Sequence, residues 1–247
     1  MALKLPRRAV IGAALLAVTI SIVCVRLGFW QLDRLEQRRD LNAAISEGSA
    51  AREVEMDAAL LDSIAADPSL FAYRSVRVTG TFEPVQFLLR GRALSGRPGV
   101  HLFTPLRLED GELLLVNRGW LPSPDAATAD PRPYLLSGVQ TLQGKLEPLA
   151  DGSADVVRAE VPLPGYPISS YLRLDRSALA TDLGENPVAV YLQLSQRPPD
   201  AAEFPVPIPP PELSEGPHLG YAIQWFSFAA ISLGGFLLVA MRSRRNG

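Results

Sequence analysis

Hydrophobic residues follow three patterns along this chain. A long, nearly charge-free apolar run lies at each end, and between them the hydrophobic period shortens to two. The first run covers residues 9–25. Extended to Trp30, with Arg26 near its far end, it is long enough to cross a bilayer. The second run, 219–241, has 23 residues without a charge. At ~1.5 Å per residue it makes about 34 Å of helix, against a hydrocarbon core of about 30 Å. Both runs predict transmembrane α-helices.

The stretch 31–47 places Leu32, Leu35, Leu41 and Ile45 at helical spacing, so a helix is expected to continue out of the first span until Gly48. A second short helix is expected over 57–66, closed by Asp67 and Pro68. From Ser75 the period becomes two: Val76, Val78 and Phe82 alternate with polar partners, and 87–90 and 100–108 read as extended. Asp110-Gly111 between apolar flanks predicts a hairpin that returns through 113–117. Further strands are expected at 139–146, 171–174 and 188–194, with a loop over 121–133 and a short helix over 177–183. Residues 197–217 contain eight prolines, which excludes a central strand or regular helix and predicts an extended strap. An SH3-type ligand is the alternative, disfavoured because the strap is expected outside the cytoplasm.

The predicted architecture is two transmembrane α-helices flanking a mainly antiparallel β, barrel-like extracytoplasmic domain with short helices. Its parts are an N-terminal span (1–30), the β domain (31–197), the Pro-rich strap (198–217), a C-terminal span (218–241) and a basic tail (242–247). Lys4, Arg7 and Arg8 precede the first span, and Arg242, Arg244 and Arg245 follow the second. Both termini are therefore expected in the cytoplasm. A cleaved signal peptide is the alternative for the first run, but no small-x-small cleavage site follows it. The run also starts too early to leave room for an organelle transit peptide, which favours a bacterial plasma membrane. Ala9, Ala13, Ala17 and Ser21 form a small-residue stripe, and Ala230 with Gly234 offers a matching groove on the second span.

Composition narrows the chemistry. A net charge of −2 gives no electrostatic case for nucleic-acid binding. Cys24 is the only cysteine, so an intrachain disulfide is impossible. Two histidines, one cysteine and three methionines leave no cluster for zinc or copper. G-x-S-x-G, a phosphate-binding glycine loop and H-E-x-x-H are all absent, and no enzyme is expected; a membrane-anchored hydrolase lacks an identifiable nucleophile and base. His101, on a predicted strand, has no nucleophile or orienting acid nearby in sequence and reads as structural or surface.

Two places carry candidate chemistry. His218, Tyr221, Trp225 and Phe228 follow steps of three and four and share one helical face. That face sets a possible metal ligand before flat rings, at the depth where a membrane meets water. An aromatic belt, with His218 merely a polar interfacial residue, is the alternative. In the middle of the chain, Asn117-Arg118-Gly119-Trp120-Leu121-Pro122 combines an amide, a guanidinium, a permissive glycine and a large ring. It reads either as a strand end, with Gly119 for a bend and Trp120 as core, or as a site where Arg118 pairs with an anionic group.

Three ordered segments resemble the SURF1 (Shy1) family of cytochrome c oxidase assembly proteins. Gly28-Phe29-Trp30-Gln31-Leu32-Asp33-Arg34 fits the family's G-x-W-Q-x-x-R. Residues 76–80, then Pro98-Gly99 through Thr104-Pro105-Leu106, Asp110-Gly111 and Val116 through Pro122 follow its central pattern. His218-Leu219-Gly220-Tyr221-Ala222-Ile223-Gln224-Trp225-Phe226 fits its H-L-x-Y-A-x-Q-W-F. Residues 50–73 and 126–204 carry no such pattern. The resemblance implies a part in maturing the catalytic subunit of a haem-copper oxidase. It also implies transient binding of haem a, with His218 as ligand to the haem iron. Tyr221 and Trp225 would then flank the macrocycle, and Arg26 and Arg34 are the nearest cations by sequence for its propionates. Trp30, Gln31, Asn117, Arg118, Gly119 and Trp120 are candidate partner contacts. The expected partners are the oxidase catalytic subunit, haem a or its synthesis machinery, and the lipid bilayer, with no nucleic acid. A scaffold that stabilises the nascent subunit without touching haem is the other function to be weighed.

Overall fold

The computed structural model describes residues 7–152, 157–161, 163, 166, 168–198 and 203–245. Lys4, residues 199–202 of the strap, and Asn246 and Gly247 of the basic tail lie outside them. The described chain forms two compact units, one made of residues up to Ala43 and from Glu212 onward, the other of residues 44–211.

The first unit is a pair of helices. α1 (Arg7–Ala50) runs without a break through the apolar run and the amphipathic stretch after it, passing the expected stop at Gly48. The closing helix of this unit, His218–Arg245, carries the second run. Both are long and apolar enough to cross a membrane by length and composition, and little of either apolar stretch is covered by protein. They meet along small residues. Ser21 Oγ lies 2.7 Å from Ala17 O and 3.2 Å from Ala229 O, and Ser232 Oγ donates to Ala17 O at 3.2 Å. The buried stripe on α1 is Ala17, Ser21 and Cys24, continued by Gly28, and Ala9 and Ala13 lie outside it. A strict four-residue step drifts by about 40° per repeat around a 3.6-residue helix, whereas mixed steps of four and three hold one face. For the same reason the facing residues are Ala222 and Ala229, two turns apart, and the expected Ala230 and Gly234 are not in the seam.

The second unit is a nine-stranded, mostly antiparallel sheet with two short helices. β1 (Val54–Glu55) precedes α2 (Ala58–Ala66). Then come β2 (Ser75–Phe82), β3 (Phe87–Leu94), β4 (Arg97–Leu108), β5 (Leu113–Pro122), β6 (Val139–Pro148), β7 (Arg158–Val161) and β8 (Ile168–Tyr171). α3 (Arg176–Leu183) and β9 (Val190–Leu194) complete it. The C-terminal helix of the first unit is α4. The strand order is β1-β2-β6-β9-β5-β4-β3-β8-β7, and β2 also pairs with β4, so the ladder from β2 to β4 returns to its first strand. Parallel pairing occurs at β1–β2, β3–β8 and β5–β9.

Local chemistry sets the element ends. Asp57 caps α2 by accepting the Leu60 N–H at 2.8 Å, and Pro68 prevents its continuation. Asp175 caps α3 the same way through Ala178 N–H at 3.1 Å. Leu61 and Ile64 of α2 cover Val76, Leu114, Val116, Leu142 and Leu192 on one side of the sheet. Leu179 of α3 covers Phe87, Phe103, Leu115 and Tyr171.

Three sequence expectations need correction. The hairpin strand expected to return through 113–117 is longer: β5 runs on through 117–122 and ends at Pro122, with a bulge opposite Leu102 and Phe103, so the loop expected from 121 begins after it. The strand expected at 171–174 is β8 at Ile168–Tyr171, and Leu172 is exposed. The alternation of Tyr171 to Leu174 suggested a half-buried strand, but β8 lies between β3 and β7, is buried throughout and shows no alternation. β1 and β7 were not foreseen; two and four residues are too short to show a period.

Candidate functional site

The candidate site of the helical unit is built where the chain enters α4. Gly216 adopts φ +70°, which turns the chain into the helix, and Tyr221 N–H donates to Pro217 O at 3.1 Å to close the first turn. The residues just before are tied to α1: Arg38 Nε donates to Ser214 O at 3.0 Å, and Arg39 grips Glu215 with two bonds of 2.8 and 2.9 Å. That pairing holds the Glu215 carboxyl below its ordinary range and the Arg39 guanidinium above its own.

These contacts deliver His218, half-buried, to α1, where its Nδ1 lies 2.9 Å from Gln31 Oε1. A Cβ on Gly216 would come within 3.4 Å of His218 Cδ2 and 3.5 Å of Nε2, so the glycine keeps a side chain off that side of the ring. The residues fit an iron porphyrin in one respect: a half-buried imidazole shares a helical face with the rings of Tyr221 and Trp225.

Of the residues expected around it, the structure brings some together. Trp225 packs edge-on to Phe228 at 5.9 Å between centroids, and Phe29 edge-on to Phe226 at 5.4 Å. Tyr221 and Trp30 are about half exposed, at 48% and 53%. Arg26 and Arg34 are exposed; Arg34 donates to Gln37 at 2.8 Å, and neither contacts His218 among the described residues. Sequence reading offered Gln31 as a partner contact, not as the neighbour of His218. Its pairing spans 187 residues, and the only signal for it was that both sit where an apolar run meets a polar one.

The segment 117–120 occupies the sheet unit and is buried. Asn117 Oδ1 accepts the Gly119 N–H at 3.1 Å across the bulge, which fixes its amide, so Nδ2 donates to Gln193 at 2.8 Å and approaches His101 Nδ1 at 3.3 Å. Arg118 is 2% exposed. It donates to Tyr134 O and lies 5.2 Å over the Phe82 ring, and burial lowers its pKa to about 10. Among the described residues no carboxylate pairs with it. Trp120 exchanges backbone bonds of 2.7 and 2.9 Å with Val206 of the strap and lies 5.6 Å beneath Arg97. These contacts match the reading of Gly119 as a bend and Trp120 as core.

His101 and Glu147 give the sheet unit a testable pH dependence. Burial, then the nearby Arg92, lowers His101 to about 4, while burial raises Glu147 to about 7, partly offset by Lys145. Unfolding lets His101 take up a proton between pH 6.5 and 4, so its contribution is complete above 6.5 and lost as pH falls through 4. Glu147 acts oppositely: folded, it holds a proton that the unfolded chain has released, so its contribution is complete below about pH 4.5 and lost as pH rises through 7. Wild-type stability should thus be nearly flat from pH 4.5 to 6.5. Glu147→Gln should expose the histidine slope, a loss of about 2–3 kcal/mol from pH 7 to 4. Chemical denaturation across that range measures it.

Among the described residues no three His, Cys, Asp or Glu side chains converge as a metal site. A cleft of about 280 Å³ beside α2 is lined by Asp62, Asp110, Glu112 and Arg176, without a nucleophile–base pair.

Comparison with known proteins gives a consistent answer. The SURF1 family model matches residues 18–230. A SURF1-like protein of Monosiga brevicollis is 28% identical over 228 residues, 87% of this chain and 83% of the relative. One from Rickettsia bellii is 27% identical over 219 residues, 85% of this chain and 83% of the relative. An uncharacterised SURF1-like protein of Mycobacterium tuberculosis is 29% identical over 245 residues, 95% and 86% respectively. With a match that reaches into both apolar helices and takes in the whole sheet unit, the chain belongs to the SURF1 family, and that membership implies a role in cytochrome c oxidase assembly.

Proposed function

We propose that this protein is a two-pass assembly factor of a bacterial plasma membrane that holds haem a transiently, through His218, beside the catalytic subunit of a haem-copper oxidase. The observation that carries the reading is His218 itself: half-buried where the second apolar helix begins, with a glycine, Gly216, beside its Nε2 edge where any other residue would set a side chain. When bound, haem would supply an iron with affinity for an imidazole nitrogen, and His218 is the residue that would hold it. Everything else is the protein's part. The Arg39–Glu215 and Arg38–Ser214 bonds set where α4 starts, and so the height of the imidazole along α1. Trp225, and Tyr221 one turn nearer, present flat faces on the His218 side of α4. A single protein ligand favours release over storage, as delivery requires.

α1 is about 66 Å long at ~1.5 Å per residue, roughly twice the hydrocarbon core, so residues beyond Trp30 would stand outside the membrane and lead into the sheet unit. Both termini would face the cytoplasm, as the basic flanks of the two helices favour. Arg26 and Arg34, both exposed, remain free to meet propionates at the headgroup level. The proposed partners are the oxidase catalytic subunit and haem a or its synthesis machinery, with no catalytic residue assigned.

The scaffold reading, without haem, also has an observation in its favour. Trp30, Tyr221 and Phe228 expose large rings along the helical unit, as a surface for another membrane helix would. Residues 117–120, being buried, would act there only through the surface they shape. One preparation separates the readings. The full chain is purified in detergent from cells that also make haem a and the oxidase subunit, and haem is quantified by its Soret band. Haem copurifying with the protein is expected; oxidase subunit without haem would replace the delivery reading with the scaffold one.

A further inference from the structure

We infer that Gln31 is a positioning residue that selects the tautomer of His218, holding the proton on Nδ1 and keeping the Nε2 lone pair available. The inference deepens, and for its second test rests on, the haem-delivery reading above. Gln31 is on α1 and His218 opens α4, and the two side chains meet at 2.9 Å between Oε1 and Nδ1. An amide oxygen can only accept, so the facing nitrogen of a neutral imidazole must be the one that donates. The remaining nitrogen, Nε2, is then unprotonated, and it is the edge toward which a side chain at Gly216 would have projected.

Glu215, three residues before His218, has both carboxylate oxygens bound by Arg39. On α1 the next polar group one turn on, Arg34, is a donor and is itself bonded to Gln37. Gln31 is thus the one side chain among the described residues bonded to the His218 ring. The choice of an amide matters chemically. A ring nitrogen that donates to a carboxylate gains more basicity at the opposite nitrogen than one that donates to a neutral oxygen. An amide sets the orientation without bringing a second charge to the ligand, which agrees with a cofactor that must be given up.

The first test needs no haem. The full chain is labelled with ¹⁵N-histidine, purified in detergent without haem, and its ring nitrogens observed at a pH where imidazole is neutral. The chain has two histidines, so the difference from His218→Ala assigns the signals. Wild type should show a protonated Nδ1 and a pyridine-like Nε2 for His218. Gln31→Leu should lose that preference, Gln31→Glu should keep it, and thermal melts should show that all three fold. A wild-type ring protonated on Nε2, or a Gln31→Leu spectrum unchanged from wild type, overturns the inference.

The second test uses haem-loaded protein. Gln31→Leu should weaken haem retention by roughly 10–100-fold, the usual range for partners of metal-ligating histidines. Gln31→Glu should retain haem and lower its reduction potential relative to wild type. Equal retention and equal potential in all three would overturn the positioning role. If instead the wild type takes up no haem while the nitrogen signals behave as expected, the delivery reading fails and the Gln31–His218 pairing stands.

Discussion

Replacing Gly119 with valine is expected to cost the sheet unit about 4 kcal/mol or more, enough to unfold a marginal domain. Three effects combine. Gly119 sits at φ +127°, a region that side-chain-bearing residues rarely enter, at a cost of about 1–3 kcal/mol. A Cβ there would lie 2.3 Å from Val206 O and 2.7 Å from Val206 C, and both are backbone atoms that cannot rotate aside. The strap could yield only by giving up the paired bonds of 2.7 and 2.9 Å between Trp120 and Val206, each worth about 0.5–1.5 kcal/mol. Branching at Cβ adds bulk to the same contact. Denaturation of the full chain in detergent, followed by tryptophan fluorescence, measures the loss, since Trp120 is buried at this junction. Gly119→Ala should show a smaller loss of the same kind. A change below about 1 kcal/mol for the valine variant would mean that the strap does not hold this position in solution.

That junction also shows how far the chain can be read from its residues. The two long helices, the amphipathic continuation after Trp30, the short helix closed at Asp67 and Pro68 and the Asp110-Gly111 hairpin were legible because each is a local signal: a run, a period, a breaker or a turn dipeptide. Gly119 was legible only in part. A glycine before a tryptophan suggests a bend, but the atom it avoids belongs to Val206, 87 residues later in a strap whose prolines carry no periodic signal. The same limit hid the parallel pairs β3–β8 and β5–β9, whose partners are about 80 residues apart and lack the turn that marks a hairpin. In the seam between α1 and α4 the residue types were anticipated, small ones at helical spacing, and the phase was not. Cys24 and Gly28 continue it because a straight helix turns away from any strict four-residue stripe.

The candidate site divides in the same way. His218 and its file of rings could be named from spacing on one helix. Gln31 could be named as a residue of interest but not as the neighbour of His218, because no pattern within either segment encodes a contact between them. Arg26 and Arg34 were chosen by proximity in sequence; both are exposed, and among the described residues Arg34 is bonded to Gln37. Arg118 was open to two readings, part of a packed strand end or a partner for an anionic group; it is buried, bonded to the Tyr134 carbonyl and stacked over the Phe82 ring.

His218→Ala is the variant with the largest expected effect on function. It removes the one imidazole at the entrance of α4 while leaving both helices, their small-residue seam and the Arg39–Glu215 grip unaltered, so folding should be preserved. Among the described residues of the helical unit, Cys24 is buried in the seam and Met241 is near the other end of α4. Wild type and variant are expressed with haem a synthesis, purified in parallel and compared for haem per polypeptide and Soret position. The account predicts that the variant keeps the yield and melting behaviour of the wild type but retains less than about one hundredth of its haem, beyond the roughly 10–100-fold loss usual for removing a partner of the ligand. Equal haem content with an unshifted Soret band in the two proteins would contradict it.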